Sequence, residues 1–177
     1  MTIFQAGVPR SGNLWVYRII QEILAASNQP QRSYLDDFRN FIDQAKIHDS
    51  NQTFNHNVIS ITPEGIYWEP THRSRLEIHN FDQYLMHNTH IWTHKQFCEE
   101  HYDLYSKFFR LIYIIRDPRD VLISNSKWLF TDRLRQYRPR SDPNEDGAKY
   151  ISERHYQKIH GWIRHVSSYL IHKEELN

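Results

Sequence analysis

The chain opens on an apolar run, Ile3 to Val8, that predicts a short buried strand over Ile3 to Pro9. A glycine-containing turn follows. Trp15, Ile19, Ile20, Ile23 and Leu24 then recur at helical spacing and predict a helix that Asn28 to Pro30 ends. Tyr34, Phe38 and Phe41 predict a second, shorter helix through about Ala45. His48 to Asp82 is polar and irregular, punctuated by Pro63, Gly65 and Pro70, with Val58 to Ile61 and Gly65 to Trp68 as its strand candidates. Gln83 to His94 reads as a strand ending in Thr-His. Phe109 to Ile115 is a stronger strand, because the continuous run Leu111 to Ile115 suits the centre of a parallel sheet, covered on both faces.

Asp117-Pro118 supplies a cap and an early-turn proline for a helix that carries Val121, Leu122, Trp128 and Leu129. Beyond a polar loop, Arg138 to Gly147, a last helix is predicted from about Lys149 to Lys173. Its buried side would be Ile151, Tyr156, Ile159, Trp162, Ile163, Val166 and Tyr169. Strands alternating with helices predict an α/β fold, a three-layer α/β/α arrangement with a central, mainly parallel sheet and ligand chemistry at its carboxyl ends.

Composition narrows this reading. A chain of 177 residues that is 39% hydrophobic has material for one core, so a single domain over 1–177 is expected. With 22 Lys+Arg against 21 Asp+Glu there is no global pull toward nucleic acid or an anionic membrane, and any polyanion must be bound locally. Cys98 is the sole cysteine, which excludes an intramolecular disulfide and fits a reducing, cytoplasmic setting. The N-terminus has no basic region before a long apolar one, and no stretch reaches membrane-spanning length.

Two segments carry candidate chemistry. Gly7-Val8-Pro9-Arg10-Ser11-Gly12-Asn13-Leu14-Trp15 lies between a predicted strand and helix, where unpaired backbone N–H groups and the helix dipole favour an anion. The glycine spacing begins like a nucleoside-triphosphatase loop, yet Asn13-Leu14 stands where that loop needs Lys-Ser or Lys-Thr to reach phosphate and magnesium. The loop's cation is Arg10 instead. Read alone, the glycines also fit an ordinary tight turn. In the second segment, Leu111 to Asp120 and on to Ser124, Arg116 leaves the end of a buried strand, where a guanidinium needs an anionic partner, and Ser124 follows on the adjoining helix. A phosphate bridging the two is one reading, and a local salt bridge to Asp117 or Asp120 is the other.

Together, in this order, the segments resemble the cytosolic-type sulfotransferase family, whose loop usually reads Pro-Lys-Ser-Gly-Thr-Thr-Trp. The resemblance implies that Pro9, Arg10, Ser11, Gly12, Asn13, Leu14 and Trp15 bind the 5'-phosphosulfate of 3'-phosphoadenosine-5'-phosphosulfate (PAPS), with Arg10 in the place of the usual lysine. It implies that Arg116 and Ser124 hold the 3'-phosphate. Asn13 and Leu14 depart from the paired threonines; an amide can still donate a hydrogen bond, whereas a leucine side chain cannot. Family members carry a catalytic histidine in a Thr-His pair before the arginine-bearing strand, which implies His94 as the base in Trp92-Thr93-His94-Lys95, with His90 as the fallback.

The resemblance implies sulfuryl transfer to a small-molecule or glycan acceptor, through a hydroxyl or amine, without metal. His87, His90 and His94 sit at helical spacings but have no acidic or cysteine partner in that segment, and match no recognised zinc pattern. The helix around Trp162-Ile163-Arg164-His165-Val166 resembles the family's helix before a further core strand. That strand and a late Arg-Lys-Gly-type loop are not found before Asn177, so the expectation is a C-terminally truncated, partial domain: a truncated or split product, one completed by a partner chain or a homodimer, or a binding module without turnover. A phosphate-loop nucleotide kinase is the more distant alternative, disfavoured by the residues after Gly12.

Overall fold

The structure, a computed structural model, describes residues 1–34, 57–71, 74–131 and 145–176. The helix expected from Tyr34 to Ala45 and most of the loop from Arg138 to Gly147 lie outside the described residues.

Strand β1 (Ile3–Gly7) is the middle of a parallel three-stranded sheet, with β5 (His90–Thr93) on one side and β6 (Arg110–Ile114) on the other. Phe4 lies opposite Ile91 and Leu111, and Ala6 opposite Thr93 and Tyr113. Because side chains alternate across a strand, this register sorts the sheet into two faces. On the Phe4 face, Phe4 stacks on Phe108 at 4.6 Å, and Tyr113 stacks on Tyr169 at 4.5 Å. On the Gln5 face, the Gln5 amide donates to the Asn13 carbonyl at 2.8 Å, and Tyr17 stacks on His90 at 4.5 Å. Helix α1 (Asn13–Ala26) therefore covers one face, and Tyr169 with the 97–108 segment covers the other, giving three layers.

A second sheet is an antiparallel meander of β2 (Ile59–Thr62), β3 (Gly65–Thr71) and β4 (Ser74–Glu77), joined to β5 by a parallel bridge from Val58 to Trp92. Its Ile59, Ile61 and Trp68 enter the same core as Phe4. Both predicted strands of this region are present; β4 was not predicted, since Leu76 is the one aliphatic residue among its charged neighbours.

Three other expectations are corrected. The segment from Gln83 is not a strand at its start: α2 (Phe81–Met86) occupies it, capped by the Asn80 side chain, which accepts from the Gln83 N–H at 2.9 Å, and β5 begins only at His90. Strand β6 pairs with β1 alone among the described residues, so the run Leu111 to Ile115 forms a margin of the sheet and not its centre. The apolar run of α1 is buried only at Ile20 and Leu24, while Trp15 is 71% and Ile23 57% exposed.

After the 3₁₀ turn Glu99–His101 and the short α3 (Tyr102–Tyr105), α4 (Pro118–Leu129) follows β6, with Pro118 in its first turn and Asp117 accepting from the Arg119 N–H at 2.8 Å. Helix α5 (Gly147–Leu170) packs on α4 and ties down the ends of two strands. Trp162 Nε1 donates to the Arg116 carbonyl at 3.0 Å, and Tyr169 donates to the Lys95 carbonyl at 3.2 Å. His165 sits 3.1 Å from the His94 carbonyl through Nε2, which must carry the proton there, so its Nδ1 accepts from Tyr113 at 2.8 Å. Tyr156, expected on the buried side of α5, is 70% exposed.

His90 has no exposed surface; its Nδ1 lies 3.2 Å from the Gln21 amide nitrogen, and its Nε2 is buried without a partner among the described residues. Burial lowers its pKa from 6.5 to about 4. Between those values the unfolded chain binds a proton that the folded chain refuses, so stability falls as pH drops from 6.5 toward about 4. The full span corresponds to about 3 kcal/mol. Urea denaturation across this range should show that fall, and His90→Asn should flatten it; an unchanged slope in the variant would show that other groups control acid sensitivity.

Candidate functional site

The loop between β1 and α1 reverses the chain within five residues. The Ser11 N–H donates to the Val8 carbonyl at 3.1 Å, and both Arg10 (φ 74°) and Gly12 (φ 99°) adopt left-handed conformations. Glycine takes this conformation freely, whereas at Arg10 it costs roughly 1–2 kcal/mol. Backbone strain on a long cationic residue is a feature of functional loops. Gly12 offers no side-chain cap to α1, and the N–H groups of Gly12, Asn13 and Leu14 have no acceptor among the described residues. The positive end of the helix is thus open toward the loop. Ser11 is also buried, and its Oγ has no partner among the described residues.

Asn13 is only 3% exposed and is turned inward. Its Nδ2 donates to the Val8 carbonyl at 2.9 Å and the Gly7 carbonyl at 3.2 Å, which draws the end of β1 against the first turn of α1. Gly7 makes this approach possible, because a Cβ there would stand 2.6 Å from Asn13 Oδ1 and 3.1 Å from the Ile114 carbonyl.

Two guanidiniums meet beside this turn. Arg10 Nε donates to Ser124 Oγ at 3.3 Å, with the guanidinium 5.4 Å from the centre of the Trp128 ring. Arg116 Nη1 donates to the Arg10 carbonyl at 3.1 Å. Partial burial, and then the Arg116 charge, lower the Arg10 pKa from its usual value. Little local acid offsets this charge. Asp117 is paired with Arg119 at 2.6 Å, a contact that takes its carboxyl down to about 2, and Asp120 reaches Arg116 only at 3.8 Å between half-exposed side chains. The local salt bridge is therefore present only in its weak, screened form.

His94 follows β5 directly and is half-buried. Its Nδ1 is 3.0 Å from the Gly7 carbonyl and 3.3 Å from Asn13 Nδ2. Arg10, Asn13, His94, Arg116 and Ser124, from three separate segments of the sequence, are thereby linked by hydrogen bonds around one loop. His90 lies apart, beneath α1. Pro9, Leu14 and Trp15 are exposed at the loop and first helical turn. His87, His90 and His94 do not share a helix face, since His87 follows α2 while His90 begins β5. Among the described residues no three His, Cys, Asp or Glu side chains gather as a metal group.

Trp128 as the ring under Arg10, and His165 and Trp162 as anchors of the His94 and Arg116 main chain, carry no signal of these roles in the sequence. Their helical spacing marks them only as core candidates; no local pattern signals a partner dozens of residues away.

A parallel α/β sheet carrying a cationic strand-to-helix turn at its carboxyl end defines a class that serves many transfer reactions. The sequence profile of the sulfotransferase domain matches residues 2–177, and the chain belongs to that family. No curated protein and no solved structure matches it. Membership supports a sulfotransferase function in general terms. No described helix is long and apolar enough to cross a membrane.

Gly7→Ala should lower stability by about 1–3 kcal/mol, because the new methyl meets a buried amide oxygen and a main-chain carbonyl that cannot both retreat. A fall in the urea midpoint checks this, and an unchanged midpoint would mean that the turn relaxes freely.

Proposed function

We propose that the chain transfers a sulfuryl group from 3'-phosphoadenosine-5'-phosphosulfate to a hydroxyl or amine acceptor. The observation that carries this reading is the convergence of Arg10, Arg116 and Ser124 beside an open helix N-terminus, with His94 on the other side of the same turn. The fit is chemical. The unpaired amides at Gly12, Asn13 and Leu14 and the buried Ser11 hydroxyl provide donors for oxyanions, and two guanidiniums provide charge with little carboxylate to cancel it.

When bound, the nucleotide donor supplies an activated sulfuryl group and a phosphate leaving group. In this reading Arg10 and the loop amides stabilise charge on the leaving oxygen, while Arg116 and Ser124 hold the 3'-phosphate. His94 takes the proton from the acceptor as its oxygen or nitrogen bonds to sulfur. The Asn13 amide nitrogen is directed to the Gly7 and Val8 carbonyls, so the contribution of that residue to an anion is its main-chain N–H. Leu14, 53% exposed, likewise offers its N–H. This division answers the departures from paired threonines: backbone groups need no particular side chain.

In the same reading the acceptor is a small molecule or a glycan and the setting is the cytoplasm; family membership supports the first in general terms, and a lone cysteine fits the second. A second reading, a nucleotide-binding domain without turnover, is separated from the first by catalysis and not by binding.

Calorimetric titration with 3'-phosphoadenosine-5'-phosphate in the absence of metal should show micromolar-class binding, on the order of 8 kcal/mol. Arg10→Ala and Arg116→Ala should each weaken it about tenfold or more, a loss of at least about 1.4 kcal/mol. A folded chain that binds ATP with magnesium and ignores the bisphosphate would sink the proposal. With an acceptor found by screening, His94→Ala should cut turnover by about 10²–10⁴-fold while leaving nucleotide affinity near wild type. Binding without any turnover across the screen would leave the non-catalytic reading.

A further inference from the structure

We infer that Asn13 is a positioning residue for His94: by clamping the Gly7 carbonyl, it holds the neutral imidazole with its proton on Nδ1 and its basic lone pair on Nε2. The catalytic meaning of this rests on the function proposed above, but the tautomer itself rests on the donor and acceptor geometry.

Three acceptors or potential acceptors surround Asn13 Nδ2, namely the Gly7 carbonyl at 3.2 Å, the Val8 carbonyl at 2.9 Å and His94 Nδ1 at 3.3 Å, and the amide has two protons to give. Asn13 cannot be turned over, since its Oδ1 would then face two carbonyl oxygens. The Gly7 carbonyl has no proton and can only accept, yet it lies 3.0 Å from His94 Nδ1.

If Nδ1 carried the lone pair, two acceptors would face each other at hydrogen-bonding distance, and Asn13 would have to turn one proton toward the ring at the longest of its three contacts. If Nδ1 carries the proton, every donor is satisfied: Asn13 gives to Gly7 and Val8, and His94 gives to Gly7, which accepts both. The second arrangement has one more hydrogen bond and no facing lone pairs, so it prevails. The carbonyl is held in place from one side by Asn13 and by the absence of a Cβ on Gly7, and the His94 main chain is held from the other by His165. Nε2 is therefore the proton-accepting atom of the neutral ring, as a general base requires.

The test reads the ring directly. Long-range proton–nitrogen correlation spectra of the ¹⁵N-labelled chain, recorded well above the usual imidazole titration range, distinguish the two tautomers, and His94→Gln assigns the signal. The wild type should show the Nδ1–H form. Asn13→Ala should shift the signal toward a mixture of forms, because the Gly7 carbonyl loses its clamp. Asn13→Ser, which keeps a single donor for the two carbonyls, should give a smaller shift in the same direction. An Nε2–H signal in the wild type would overturn the assignment, and an Nδ1–H signal unchanged in Asn13→Ala would remove Asn13 from the role. Should Asn13→Ala fail to fold, the wild-type tautomer and the Asn13→Ser spectrum still decide. Nucleotide binding does not enter this readout, so its failure would count against the proposed function alone.

Discussion

The site depends on a close approach between the last residue of a strand and the first residue of a helix. Gly7 has no side chain, and the Asn13 amide occupies the space that a Cβ would need, with its Oδ1 2.6 Å from that point. From this contact follow the sharp reversal at residues 8–12, the left-handed Arg10 and Gly12, and the open N–H groups at the start of α1. A bulkier residue at position 7 would push the helix away from the strand. The dipole, the loop cation and the imidazole would then no longer share one corner of the sheet.

The second requirement is that two strand ends be held still. Their main chains leave the sheet at His94 and Arg116, where strand pairing no longer restrains them. Helix α5 supplies the restraint from a distance in sequence, with Trp162 on the Arg116 carbonyl, His165 on the His94 carbonyl and Tyr169 on the Lys95 carbonyl. The His165 and Tyr169 bonds lie in partly buried aromatic packing, where a carbonyl left without a donor is costly, whereas the Trp162 bond is exposed. Histidine appears here in two distinct uses: His165 and His90 are buried and pressed toward the neutral state by desolvation, whereas His94 is half-buried at the edge of the loop.

Much of the architecture was legible without coordinates. The apolar run at Ile3 to Val8, the Asp117-Pro118 helix start and the long C-terminal helix rest on local signals, namely continuous hydrophobicity, a cap and a proline of fixed φ, and they were placed within a few residues. The failures were equally physical. An apolar residue in a periodic pattern reads as buried, but Trp15 and Ile23 are exposed, since burial depends on what packs against a face and not on the face alone. The stretch from Gln83 read as a strand, but the Asn80 side chain caps a helix there, and the strand begins only at His90. The run Leu111 to Ile115 read as central because hydrophobicity reports coverage of the faces and is silent about neighbours within the sheet.

By itself, the sequence determined the strand-loop-helix unit, the presence of Arg10 within the loop, and the order of Thr-His before Arg before Ser that resembles sulfotransferases, because these are matters of residue type and spacing. Only the tertiary structure decided that Asn13 faces inward to the Gly7 and Val8 carbonyls, that Asp117 is taken by Arg119, and that Arg10 lies between Ser124 and Trp128. Those outcomes turn on competition among donors and acceptors within a few ångströms, and that competition exists only once the three strands have brought distant segments together.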